Sequence, residues 1–329
     1  MQNKIIMDKK KLTIVVACYN EEENVTPLVE EIRKVTDEKI PNYLTEILFI
    51  DNCSTDKTRD KLRLICAKDK HVKCIFNAKN FGHIRSPFYA LTHADGDLVM
   101  LMCADFQDPP ELIPEFVKKW EEGYKVVVGV KEKSKTNPFI NSIRKLYYRI
   151  IHRISDVEQI QNYTGYGLYD QSFIKVLASL EDPYPYMRGI VAELGYKMTE
   201  IKYVQPERRA GKSHNNFMVL YDMAMLGITS YTNFFVRTAT FVAAALGLLT
   251  FGGFVTYMVF LIVRLVNYDP LPSILWPILI AIGVIATIVL FYIGMVGEYV
   301  NQINTRTMKR PYVIVEERIN FDDEGKDSK

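Results

Sequence analysis

Three short polar clusters in the first third of the chain hold the groups that could do chemistry: Tyr19-Asn20-Glu21, Asp51-Asn52, and Asp105 with Gln107 and Asp108. Each follows an apolar run, at residues 12–18 (LTIVVAC), 47–50 (ILFI) and 98–102 (LVMLM). Carboxylates at the tips of neighbouring strands can grip a base and a ribose. A single one, such as Asp105, can hold a divalent cation on a diphosphate. Mg2+ or Mn2+ takes one or two carboxylates and fills its shell with phosphate oxygens and water, so few protein ligands are needed. No Walker A sequence and no Gly-x-Gly-x-x-Gly is present, which removes the main support for a P-loop or dinucleotide site. Taken singly, each cluster also reads as ordinary caps and turns.

Holding such clusters side by side requires strands separated by helices. Residues 22–37 place Val25, Leu28, Val29 and Ile32 at helical spacing. Ser54-Thr55-Asp56 supplies capping chemistry for a helix running to residue 67. A third strand at 72–76, a helix at 85–94 and a fourth strand at 98–102 follow. Pro109-Pro110 opens another helix, and 125–130 reads as a fifth strand. This alternation predicts an α/β fold with a mainly parallel sheet covered on both faces. Ligands of such sheets gather outside the carboxyl ends of the strands, where the three clusters lie. Residues 162–167 (NYTGYG) read as a glycine- and aromatic-rich loop between helical stretches. The segment Tyr184-Pro185-Tyr186-Met187-Arg188-Gly189 precedes a helix whose first amides could face a phosphate, which makes Arg188 a pocket candidate.

Lys131, Lys133, Lys135, Arg144, Lys145, Arg149 and Arg153 form a basic stretch suited to anionic headgroups and phosphate, or to a solvated helix face. The formal net charge of +2 speaks against nucleic-acid binding. Five cysteines fall within the first 103 residues without a Cys-x-x-Cys pair, as expected of reduced thiols in a cytosolic domain. His83, His93 and His214 are isolated and read as local hydrogen-bonding residues. The first eleven residues are polar and basic, and the apolar run after them is too short for a signal peptide.

Between residues 238 and 297 the only charged side chains are Arg264 and Asp269. The uncharged runs 238–263 and 271–297 are each long enough to cross a bilayer. Arg237 before them and Arg306, Lys309 and Arg310 after them predict both ends on the cytoplasmic side. Residues 216–235 are apolar but broken by Asp222 and Asn233, the pattern of a helix lying at the headgroups. Residues 312–315 (YVIV) have strand character.

The segments LTIVVACYNEEENV, FIDNCSTDKT, NFGHIRSPFYAL, ADGDLVMLMCADFQDPPEL and RRAGKSHNNF occur in the order found in family 2 glycosyltransferases of the GT-A fold. Over residues 12–317 the chain resembles their membrane-bound polyprenyl-phosphate subgroup, relatives of dolichyl-phosphate mannose synthase and GtrB-type enzymes. The resemblance implies a cytoplasmic GT-A catalytic domain over 1–213 and interfacial helices over 214–237. A transmembrane hairpin over 238–297 and a cytoplasmic tail over 298–329 complete the expected organisation. It makes Ala17, Tyr19, Glu21, Asp51 and Asn52 contacts for the nucleotide, and Asp105 and Gln107 the ligands of Mg2+ or Mn2+. Lys131, Arg144 and Arg188 become candidates near the phosphates, and Arg209, Lys212 and Ser213 match the loop that closes on donor diphosphate and acceptor phosphate.

The implied reaction is inverting transfer of one sugar from a nucleotide-sugar, UDP-linked by preference, to a polyprenyl phosphate in the bilayer. The tail strand is expected to pair with a neighbouring subunit in a homo-oligomer. The chain departs from the family pattern in three places. Asp51-Asn52-Cys53-Ser54 replaces the usual Asp-Asp-Gly-Ser, Cys103-Ala104-Asp105 replaces Asp-x-Asp, and lysines stand at 131 and 133 where arginines are common. Two alternatives accompany this reading. One is transfer to a hydroxyl of a lipid-linked saccharide, with Glu193 or Asp170 as base; the other is a non-catalytic nucleotide-sugar-binding membrane protein.

Overall fold

A computed structural model of the chain describes residues 9–132, 149, 151, 153–155, 157, 159–209, 217–267, 275–308 and 310–321. Arg144, Lys212 and Ser213, together with Lys133, lie outside the described residues.

The apolar runs form the centre of the sheet: β1 (Lys11–Cys18), β2 (Leu44–Asp51), β3 (Val72–Asn77) and β4 (Leu98–Cys103). They are buried along most of their length, as parallel strands covered on both faces must be. Helices α1 (Val25–Lys39), α2 (Thr58–Lys68) and α3 (Gly82–Thr92) make the crossovers. On α1, Val25, Leu28, Ile32 and Val35 form the single stripe that meets the sheet. A 3-10 turn (Pro110–Leu112) runs into α4 (Ile113–Glu121) and then β5 (Val126–Lys131).

Next come β6 (Tyr163–Asp170), α5 (Gln171–Ser179), α6 (Met187–Glu193) and β7 (Met198–Tyr203). They are followed by α7 (Phe217–Tyr231), α8 (Phe234–Val266), α9 (Leu275–Thr307) and β8 (Val315–Ile319). The sheet order is β7-β5-β6-β4-β1-β2-β3-β8. β1 pairs parallel with β2 and β4, with Cys18 opposite Asp51 and Ala17 opposite Cys103. That register brings the three polar clusters to one edge of the sheet.

Three sequence expectations are corrected. Residues 163–167 are not a loop but the start of β6, which Asn162 precedes in a turn and which runs antiparallel to both β4 and β5. The strand is favoured because its tyrosines Tyr163, Tyr166 and Tyr169 are fully buried, with Tyr166 edge-on to Phe116 and Tyr203. Gly167 lies so near the Val127 carbonyl that a Cβ there would stand 2.9 Å from it. α2 begins at Thr58, because residues 54–57 are used to lock the neighbouring loop. Finally, the tail strand spans Val315–Ile319 rather than 312–315, and it pairs antiparallel with β3 of its own chain as the last strand of the sheet.

α8 and α9 each run 33 residues, about 50 Å at 1.5 Å per residue, more than the ~30 Å hydrocarbon core requires. Phe234–Val266 and Ala281–Thr307 are long and apolar enough to cross a membrane, and neither is buried within the protein. Phe241, Leu248, Leu249 and Leu290 point outward, an apolar surface that suits lipid. α7 connects this hairpin to the catalytic layers. The Tyr231 ring occupies the space a Cβ on Gly189 of α6 would need, and the Tyr299 hydroxyl of α9 donates to the Thr232 carbonyl.

Candidate active site

Three loops at the sheet edge turn through left-handed backbone at non-glycine residues: Asn20 (φ 56°) after β1, Cys53 (φ 65°) after β2, and Phe106 (φ 61°) after β4. Such conformations cost free energy and persist where the surroundings enforce them. The first two loops enforce each other. Asn20 N donates to Ser54 Oγ (2.8 Å), Thr55 N to Asn20 Oδ1 (2.7 Å), and Glu21 N to Thr58 Oγ1 (2.8 Å). The Tyr19-Asn20-Glu21 and Asp51-Asn52 clusters are therefore one rigid unit. Burial raises the Glu21 carboxyl above its usual range; a 2.5 Å hydrogen bond from Asn24 opposes this, and Asp105 adds to it.

Beside this unit is a cavity of about 340 Å³ lined by both polar and apolar side chains. Asp105, Gln107, Asp108, Lys131, Arg188 and Arg208 supply its polar side. Pro87, Phe88, Leu91, Leu101, Met187 and Met223 supply an apolar side, with Met223 contributed by α7. Asp105 is 6% exposed. Its Oδ1 accepts from Gln107 N (3.1 Å), and its Oδ2 lies 3.1 Å from Arg208 Nη2. Arg188 Nε donates to the Tyr163 carbonyl (2.6 Å), which fixes its guanidinium at the cavity rim. Burial lowers the Lys131 amine, with Asp108 and Asp105 opposing the shift. Burial also lowers the His83 imidazole, so the ring meets the cavity neutral at pH 7.

Asp108 lines the cavity but is almost fully buried. Its Oδ2 accepts from Cys103 N (3.0 Å) and its Oδ1 from the Tyr203 hydroxyl (3.1 Å). Burial raises its carboxyl to about 6, against the pull of Lys131 and with help from Asp105. A folded value above the unfolded one means this group's stabilising contribution is full below about pH 4 and is lost as pH rises through about 6. Asp108→Asn should therefore gain on the wild type by up to about 3 kcal/mol between pH 4 and pH 7. Melting temperatures of the two proteins across that range check it. A gap independent of pH would show that the carboxyl does not titrate there.

Of the residues singled out in the sequence, Ala17, Asp105, Gln107, Lys131 and Arg188 line the cavity together. Tyr19, Glu21 and Asp51 lie beside it on the locked loops, with Glu21 close enough to feel both Asp105 and Arg208. Asp51 is fully buried, its Oδ2 taken by Arg59 Nε (3.0 Å) and Ser54 N (3.1 Å), while no partner meets its Oδ1. Asn52 works as a tie: it bonds Asn77, Asn80, Phe81 N and the Gly82 carbonyl, and so holds the turn that leads into α3, whose first turn carries His83. Arg209 stacks over the Phe106 ring at 5.3 Å.

Sequence reasoning missed Arg208, which reaches Asp105, and passed over His83 and the Met223 contribution from α7. The signal for Arg208 was the arginine pair itself, since on an extended segment neighbouring side chains point opposite ways. Asp170 caps α5 and pairs with Lys125 (2.8 Å), and neither it nor Glu193 lines the cavity.

Among the described residues no group of three or more His, Cys, Asp or Glu converges. The donor set nonetheless suits a hard divalent ion: one buried carboxylate, a neighbouring amide and open cavity for phosphate oxygens. Asp105 and Gln107 are the residues that would hold it.

A mainly parallel sheet with acids at its carboxyl edge, beside a cavity that also holds cations, is the arrangement that the resemblance to GT-A glycosyltransferases implies. The chain belongs to glycosyl transferase family 2, which matches residues 13–177. It is 31% identical over 307 residues to the uncharacterized glycosyltransferase YkcC of Bacillus subtilis, covering 92% of this chain and 93% of the relative. The uncharacterized glycosyltransferase sll0501 of Synechocystis is 26% identical, with 93% and 94% covered. The bactoprenol glucosyl transferase of Shigella phage SfX is 28% identical, with 94% and 99% covered.

Proposed function

We propose that the enzyme transfers one sugar from a UDP-sugar to the phosphate of a polyprenyl phosphate at the cytoplasmic membrane face, with inversion and with Mg2+ or Mn2+. The observation that carries this reading is a cavity lined by both charged and apolar side chains. Asp105, Lys131, Arg188 and Arg208 suit a diphosphate and a second phosphate, and the apolar lining includes Met223 of the helix next to the membrane hairpin. Relatives named bactoprenol glucosyl transferase support the acceptor class.

The acceptor oxygen is already anionic, so it attacks the anomeric carbon without first losing a proton, and no general base is required. A carbon–oxygen bond forms on one face of the sugar. The bond to the nucleoside diphosphate breaks on the other, the electron pair leaves with the diphosphate, and the configuration inverts. When bound, the divalent ion supplies positive charge to offset that of the leaving group. Arg208 and Lys131 present fixed cations to the same oxygens, and a site preorganised in this way avoids reorganisation during reaction. Cys103, in place of a first carboxylate, leaves Asp105 as the one acid of that motif facing the diphosphate, which the phosphate acceptor tolerates because it asks for no base.

One observation favours a second reading, transfer to a saccharide hydroxyl. Asp108 is a cavity carboxyl raised to about 6 and thus near the range of a general base. Both its oxygens are already engaged by Tyr203 and Cys103, so the phosphate acceptor remains the better fit.

Purified protein in detergent, given Mg2+, undecaprenyl phosphate and radiolabelled UDP- and GDP-sugars, tests the proposal. Lipid-extractable label from one UDP-sugar is the expected result. Label appearing only on a lipid-linked saccharide would move the reading to the hydroxyl acceptor.

A further inference from the structure

We infer that the tail strand β8 is a working part of the nucleotide site, acting on Asp51 through Arg59 as a positioning residue. The inference rests on reading Asp51 as a contact for the donor nucleotide. Arg59, on α2, bridges two carboxylates: its Nε meets Asp51 Oδ2 at 3.0 Å and its Nη2 meets Glu316 Oε2 of β8 at 2.8 Å. The same Nη2 donates to the Asn77 carbonyl (3.1 Å), and the guanidinium lies 5.1 Å over the Phe76 ring. Asp51 thus has one oxygen fixed from behind, and its other oxygen is buried with no partner among the described residues. A buried carboxylate oxygen left in that state is poised for a donor group from outside, such as a base N–H.

The strand that completes the bridge arrives from the far side of the membrane hairpin. Met308 to Ile314 is a short connection between α9 and β8, and seven extended residues reach at most about 25 Å. β8 carries a register shift at Glu316, between the pairs Phe76–Glu317 and Asn77–Val315. It pairs antiparallel with β3, and Asn320 closes its end by donating to the Cys66 and Val72 carbonyls (2.7 Å each). Anchored in this way, Glu316 is presented to Arg59 from a fixed backbone even though its own side chain is 54% exposed. The neighbouring Glu317 pairs with Arg63 (2.7 Å), on the same strand and helix; among the described residues that pair shares the Phe76 ring with Arg59 but has no hydrogen bond or ion pair to Asp51. The two glutamates therefore separate a positioning effect from simple anchoring of the tail.

The test is calorimetric titration of UDP, and separately GDP, with Mg2+ into the detergent-solubilised full chain. Glu316→Gln should weaken nucleotide binding about threefold, in keeping with a partly exposed ion pair. Arg59→Lys, which cannot bridge both carboxylates with a planar fork, should weaken it about tenfold. Glu317→Gln should bind as the wild type does, and Glu316→Gln should keep the wild-type transfer rate at saturating donor. Unchanged binding in Glu316→Gln overturns the inference. Equal weakening in Glu316→Gln and Glu317→Gln also overturns it, because the strand would then act only as an anchor. If the wild type binds neither nucleotide, the assignment of Asp51 falls first and this inference with it.

Discussion

Asp105→Asn should reduce sugar transfer by about a thousandfold, the loss typical when a central electrostatic group is removed from a preorganised site. The substitution changes almost no volume. It takes away the carboxylate that pairs with Arg208 at 3.1 Å and that contributes, with Asp108, to holding Lys131 charged against its burial. It also removes the carboxylate that would hold a divalent ion on the diphosphate. Two separate readouts follow from this dual role. Transfer of label to lipid should fall to near background. Mg2+ should also cease to strengthen UDP binding, while binding without Mg2+ should change little or even improve, because the anionic diphosphate no longer meets a carboxylate. Retained turnover would remove Asp105 from the chemistry, and retained Mg2+ dependence would move the ion elsewhere.

The strand tips were legible because apolar runs stop abruptly at acids, a pattern that ordinary solvent-exposed loops do not produce so regularly. The β6 strand was not, since Asn162, Gly165 and Gly167 are turn-forming residues by composition. That residues 163–167 nonetheless form a strand is decided by three buried tyrosines and by backbone approach at Gly167, both of which are tertiary effects. Cys53 shows how a motif departure takes physical meaning. The position has φ 65°, so glycine suits it best, and the cysteine is tolerated because Asn20 and Ser54 lock the two loops around it. Asn52 reads as a possible ligand in the sequence, yet in the fold its side chain is spent on the loop at residues 80–82. Asp51 was legible as a polar strand end. What was not legible is that a strand some 265 residues later would reach back to its arginine, because nothing local encodes that pairing.

Arg208→Ala should lower the transfer rate by about a hundredfold, close to 2.7 kcal/mol of transition-state stabilisation, and Arg209→Ala by roughly tenfold. The two residues are adjacent and share a charge, so a generic electrostatic role would make them equivalent. Geometry separates them: Arg208 reaches the Asp105 carboxylate, whereas Arg209 stacks on Phe106. With no donor bound, Arg208 neutralises Asp105. A cation-bearing diphosphate would satisfy both groups at once, the carboxylate by its ion and the guanidinium by its oxygens. Arg208 is thereby released onto the group whose charge grows as the sugar departs, so its removal should fall on kcat more than on the donor KM. Arg208→Lys should recover only part of the loss, because an ammonium provides the charge without the fork that grips two oxygens together. Single-turnover transfer with each variant decides the matter. Equal losses in Arg208→Ala and Arg209→Ala would mean that the loop acts as a diffuse positive patch, and a loss confined to donor KM would mean that Arg208 serves binding alone.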